Sequence, residues 1–226
     1  MHTARLVATV VGLIVGAQAV SAPDLSRYRA YVLESTLDSI IAASGARAAD
    51  TRTLHKRPAT IQELEWRAPY ARSGTELPDP VRNIIFTFYN DALYRVVVNY
   101  DRDRTEGLTD SDVIESISAV YGTPAGASET RTGLASKAPT DTVVLARWQS
   151  AASLLTLVHH AYAPEFQLTL VSKPLTVRAE AAITEAIRLD AIEAPRREAE
   201  RREQNASGAT AARDKARMTN KAAFRP

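Results

Sequence analysis

The chain has 226 residues, of which 45% are hydrophobic, with 28 Lys/Arg against 26 Asp/Glu and no cysteine. That length and apolar content suit one moderately large domain or two small ones with a real core. The missing cysteines exclude a disulfide framework, a lipidated N-terminal cysteine, zinc–thiolate sites and cysteine nucleophiles. Charge is unevenly placed: residues 1–194 carry a net −3 and residues 195–226 a net +5. A mildly acidic body with a basic tail offers no basic face of the kind nucleic acid requires, so no nucleic-acid partner is expected.

At the N-terminus, Arg5 precedes an apolar run from Leu6 to Ala17 that ends in Ala17-Gln18-Ala19. A positive start, a short apolar stretch and small residues flanking a cut site are the layout of a secretory signal. The run is short of the roughly 20 apolar residues a transmembrane helix needs. Residues 1–19 are therefore expected to be a signal peptide, with cleavage after Ala19, and the protein to be exported to the periplasm or secreted.

The predicted elements follow in order. Asp24–Leu33 reads as extended. Ser35 and Thr36 can cap a short helix carrying Leu37, Ile40 and Ile41 on one stripe, with Gly45 at its end. A polar connection containing Pro58 leads to a strand over 61–66. After a Gly/Pro-rich loop, Val81–Tyr89 and Leu93–Tyr100 alternate β-branched and aromatic residues around Asn90-Asp91-Ala92, a β-hairpin. Residues 110–121 form a second helix, with acids in its first turn and Gly122 and Pro124 behind it. A loop rich in small residues covers 123–139. Strands follow at 142–148, 153–159 and 166–171. A helix over 175–194 meets Pro195, and 195–226 reads as a solvated helical extension or a disordered tail.

The expected class is α+β: two units, 24–103 and 104–174, each a helix with a three-stranded antiparallel meander, then a C-terminal helix and charged tail. The first strand of each meander ends in the chain's only tryptophans, Trp66 and Trp148, and each preceding helix stops at a glycine, Gly45 or Gly122. Shared order and spacing point to an internal duplication. The layout of 24–174 resembles the tandem helix-plus-sheet folds of the β-lactamase-inhibitor protein and of small outer-membrane assembly lipoproteins. The stretches Phe86–Arg95, Tyr100–Thr109 and Thr219–Pro226 resemble an uncharacterised family of exported bacterial proteins. The second resemblance implies a bacterial source and export, and no activity; a helix on one face of each meander leaves the other face of the sheet available to partners.

Candidate site residues are few. Asp101, Asp103, Thr105 and Asp112 fall at positions 1, 3, 5 and 12 of a calcium-loop pattern. Glu106 stands where that loop needs glycine, and Arg102 and Arg104 oppose a cation, so a polar strand-to-helix connection is the competing account. His159-His160 cannot jointly grip one metal, because adjacent strand residues point to opposite faces. No nucleophile elbow, phosphate loop or dinucleotide-binding glycine set is present, and no cofactor is expected. Tyr89, Tyr94 and Tyr100 are expected to form an aromatic strip on one face of the hairpin and, with Phe224 in the tail, to supply partner contacts. The expected function is noncatalytic: binding an envelope protein, or supporting the envelope, through an exposed sheet, with the basic tail contacting anionic surfaces. A periplasmic hydrolase with a dispersed site and a calcium or small-ligand sensor are the alternatives.

Overall fold

A computed structural model describes residues 23–68, 79–125, 142–161, 165–223 and 225. The signal segment and Phe224 lie outside the described residues. The fold is α+β. A two-stranded hairpin, β1 (Arg27–Tyr28) with β2 (Tyr31–Val32), opens it and leads into α1 (Leu37–Ser44). Strands β3 (Thr51–His55), β4 (Ile61–Arg67), β5 (Val81–Tyr89) and β6 (Ala92–Tyr100) follow, then the one-turn α2 (Arg102–Thr105) and α3 (Asp110–Tyr121). Strands β7 (Thr142–Gln149), β8 (Ser153–His160) and β9 (Phe166–Ser172) run directly into α4 (Lys173–Ala223).

The two meanders share one sheet. Its order is β3-β4-β5-β6-β9-β8-β7, antiparallel throughout, and the halves meet where β6 pairs with β9 from Arg95–Val171 to Asn99–Gln167. Each half thus contributes its last strand to the central seam, which removes the sheet edge either meander would expose alone. The extra edge strand β3 falls in the stretch expected to be a polar connection. Its Thr-Arg-Thr-Leu-His sequence contains no buried residue, so it lacks the apolar alternation that marks a strand.

Local chemistry accounts for the elements. The β5–β6 hairpin turns through Asn90 and Asp91, both at positive φ (46° and 69°), the backbone a two-residue hairpin turn demands and these side chains tolerate. Helix α1 begins at Thr36, whose hydroxyl accepts from the Ser39 N–H, and ends at Gly45 in the left-handed region. Helix α3 begins with a capping box: Thr109 accepts from the Asp112 N–H while the Asp112 carboxylate accepts from the Thr109 N–H.

The main core lies on one face of the sheet. There Leu64, Ile84, Phe86, Phe88, Val96, Val98, Leu155, Leu157, Leu168 and Trp148 pack under Ile40 of α1, Val113, Ile117 and Tyr121 of α3, and the N-terminal segment. Burying each such aliphatic or aromatic side chain stabilises the fold by about 1.5–3 kcal/mol. A smaller cluster forms on the opposite face, where Ala179, Leu175 and Ile183 of α4 cover Ile61, Tyr89 and Tyr94.

Helix α4 is continuous for 51 residues and passes through Pro195. Proline costs a helix one backbone hydrogen bond and crowds the preceding turn. Here the surroundings are exposed, so water can serve the freed carbonyl. Arg197 also bridges the proline, donating to Asp190 at 2.7 Å and Glu193 at 3.1 Å, while Arg57 from the β3–β4 connection donates to Glu193 at 2.7 Å. These two guanidinium groups hold the Glu193 carboxyl down at about 2. Of the two readings for the tail, the solvated helix is the one found. Among the described residues no helix is long and apolar enough to cross a membrane.

Candidate functional site

Residue burial alternates along β9 and along β8 as far as Val158: Leu155, Leu157, Leu168 and Leu170 are buried, while Leu154, Thr156, Val158, Gln167, Thr169 and Val171 between them are half-exposed. Period-two alternation means one face carries the core and the other is open. Among the described residues, the first turns of α4 pack on the second face where Ile61, Tyr89 and Tyr94 lie, while Thr87, Val97 and Asn99 on the same face are buried too and the half-exposed positions lie to either side of β6. Beyond that cover, register places three rows side by side across the sheet.

One row is polar and hydrogen-bonded. Arg67 donates to Glu65 at 2.9 Å through both Nε and one terminal nitrogen, Asn83 Nδ2 donates to Glu65 at 2.9 Å, Asn99 Nδ2 to Asn83 Oδ1 at 3.0 Å, and Gln167 Nε2 to Asn99 Oδ1 at 2.8 Å. The ladder spans β4, β5, β6 and β9, with Asn83, Asn99 and Gln167 directly opposite one another. The Arg67 guanidinium, helped by the Asn83 amide, holds the Glu65 carboxyl below the usual range. In the adjacent row Ile85, Val97, Thr169 and Thr156, two aliphatic residues and two threonines, are paired in sequence across four strands, with Val97 buried. A third row runs Thr87, Arg95, Val171, Leu154. The arrangement presents a pre-ordered donor/acceptor line beside β-branched methyl groups, which suits recognition of a surface rather than attack on a bond.

The expected tyrosine strip does not form. Tyr94 is 6% exposed and pinned under α4, with Tyr89 beside it, whereas Tyr100 turns to the main core. The cause is a β-bulge: Thr87 opposes Arg95 and Phe88 opposes Leu93, so Tyr94 is an extra residue that shifts the parity of β6. Tyr100 shares a hydrogen bond with Tyr28, and burial pushes Tyr100 up to about 12 and Tyr28 higher still. Arg29 closes this cluster, donating to Asp79 at 2.5 and 2.9 Å and lying over the Tyr28 ring.

The calcium-loop acids are also redirected. Asp101 caps α2 by accepting from the Asp103 N–H at 3.1 Å, Asp103 lies within that turn, and Asp112 belongs to the α3 capping box. Two separate helix starts thus engage the Asp101 and Asp112 carboxylates, and among the described residues no three His, Asp or Glu side chains gather as a metal site. Asp101 and Asp112 at the starts of two helices are what the polar-connection account expects.

His159 and His160 do point to opposite faces. On the core side, His159 Nδ1 lies 2.9 Å from Asp110 and its Nε2 3.6 Å from Glu165, with its ring 4.9 Å from Phe166. On the other side, His160 Nδ1 meets the Thr142 hydroxyl at 2.9 Å. Sequence reading missed the Asp110–His159–Glu165 cluster, because it joins a helix start to a strand end almost fifty residues away. Among the described residues no serine or threonine hydroxyl touches His159, so the cluster ties α3 to the β8–β9 turn without forming a nucleophile–base pair.

No protein-family model matches the chain, and no curated protein or solved structure does so either.

Proposed function

We propose that this is an exported, noncatalytic module that binds a partner protein of the cell envelope through the half-exposed part of the sheet face opposite the main core. What carries the reading is the hydrogen-bonded ladder Glu65–Asn83–Asn99–Gln167 lying beside the row Ile85–Val97–Thr169–Thr156, in which Val97 is buried and the other three are half-exposed. A partner gains there from fixed polar groups whose ordering is already complete, and from the half-exposed side chains of Ile85, Thr156 and Thr169. Export rests on the Arg5–Ala19 segment and on the resemblance to exported bacterial proteins. The hydrolase alternative lacks a nucleophile in contact with His159 among the described residues. Against the calcium-sensor alternative stand the capping roles of Asp101 and Asp112.

The test is crosslinked capture from envelope extract with Ile85→Arg and Thr156→Arg on the open face, against Ile187→Arg on the outward side of α4. Loss of one defined partner with the first two variants and its retention with the third supports the reading. Equal capture by all three overturns it.

A further inference from the structure

Helix α4 leaves the body at Glu193, the last of its residues hydrogen-bonded to the body, through Arg57. From residue 194 to residue 223 every position is exposed. Thirty helical residues make a rod about 45 Å long. Its charge is organised in two blocks. In the first, three of four cations are matched locally: Arg196 with Glu200, Arg202 with Glu198, and Arg197 with Asp190 and Glu193. An uncharged stretch from Gln204 to Ala212 separates it from the second. There Arg213, Lys215, Arg217 and Lys221 stand against the single acid Asp214, and among the described residues none of the four has an acidic partner.

Arg213, Arg217 and Lys221 recur at four-residue intervals, which puts them on one side of the helix, with Met218 73% exposed at its flank and Asp214 at its edge. We propose that this distal block is an electrostatic tether that lays the end of α4 on an anionic phospholipid surface and holds the body a helix-length away. Two features choose that partner. A protein groove grips a helix through apolar anchors repeated at i, i+3 or i+4 and i+7, and Met218 is the only large apolar side chain described beyond Ile192. Diffuse positive charge with little apolar area suits a continuous negative surface. The apolar run Leu6–Ala17, in turn, is a membrane-directed segment, so a lipid surface is the anionic phase the chain meets. The tether stands independently of the sheet-face reading, because it uses none of the same residues.

The experiment is vesicle co-sedimentation of the full chain with phosphatidylcholine vesicles containing 30% phosphatidylglycerol (about a third, ample for a negative surface potential) and with pure phosphatidylcholine. A variant carrying R213Q, K215Q, R217Q and K221Q is measured alongside one carrying R196Q and R202Q. Any contribution of the N-terminal apolar run is common to all three chains. The tether predicts at least about tenfold tighter binding to the anionic vesicles, loss of that difference in the quadruple variant, retention of most of it in the double variant, and its collapse as salt rises. Glutamine is close to lysine and arginine in helix propensity, and circular dichroism verifies that the rod persists. Equal binding to neutral vesicles, an unaffected quadruple variant, or displacement of the chain from anionic vesicles by duplex DNA at equal phosphate would each overturn it.

Discussion

Trp148 in β7 donates its indole N–H to the carbonyl oxygen of Gly122, the residue that ends α3, at 2.7 Å. The two are 26 residues apart, and the bond fixes where the second helix stops against its own meander. Trp148 is 1% exposed, so the ring fills the core while its one polar atom is satisfied at the helix end.

Replacing it tests that bond. Trp148→Phe keeps an aromatic ring but leaves the Gly122 carbonyl without its donor, at a cost of about 1–3 kcal/mol. Urea denaturation with an unchanged slope and a lower midpoint is the expected result.

Gly122 itself is constrained twice. Its φ is +78°, and a Cβ built there would sit 3.0 Å from the Pro23 ring. Gly45 ends α1 with φ +68° but has nothing within 4 Å of the same position. Gly122→Ala is therefore expected to destabilise by about 1–3 kcal/mol and Gly45→Ala by about 1 kcal/mol, measured by chemical denaturation.

The buried tyrosines set an alkaline limit. Burial raises Tyr100 and Tyr121 to about 12 in the folded chain, against about 10 when unfolded. A folded-state value above the unfolded one gives stability that is complete below pH 10 and is lost as pH rises through about 12. Tyrosinate absorbance should therefore appear together with loss of far-ultraviolet circular dichroism in that window. Early, noncooperative titration of these groups would contradict the burial.

Asn99 is the middle rung of the polar ladder and 9% exposed, held by Asn83 on one side and Gln167 on the other. Asn99→Ala strands one acceptor and one donor and is expected to cost about 1–2 kcal/mol. Arg67→Ala, at the solvated end of the same ladder, should leave the midpoint nearly unchanged.

What the sequence revealed, and where it failed, follows from where each signal resides. The β5–β6 hairpin and α3 were legible because their signals are local: strand alternation around Asn90-Asp91, and a cap with an apolar stripe behind it. The tyrosine strip failed at one residue. Alternation alone puts Tyr94 and Tyr100 on the same face, and only pairing with β5 reveals the bulge that separates them. The run of α4 through Pro195 depended on Arg57, more than a hundred residues earlier, which no helix signal near the proline contains. The calcium pattern misled because acids at helix starts and acids in a metal loop share composition and spacing. Their partners differ, and here the partners are backbone N–H groups. The two antiparallel meanders were legible in outline, but the ladder across their shared sheet was not, because its four side chains come from four strands.

The most direct test of the sheet-face account is photo-crosslinking from position 169, the centre of the open face, with a photoreactive phenylalanine analogue in the intact cell envelope. The account predicts one dominant adduct that disappears when Thr156→Arg is added on the same face and persists when His159→Gln is added on the other. An adduct that survives Thr156→Arg, or no adduct from position 169 at all, would contradict it.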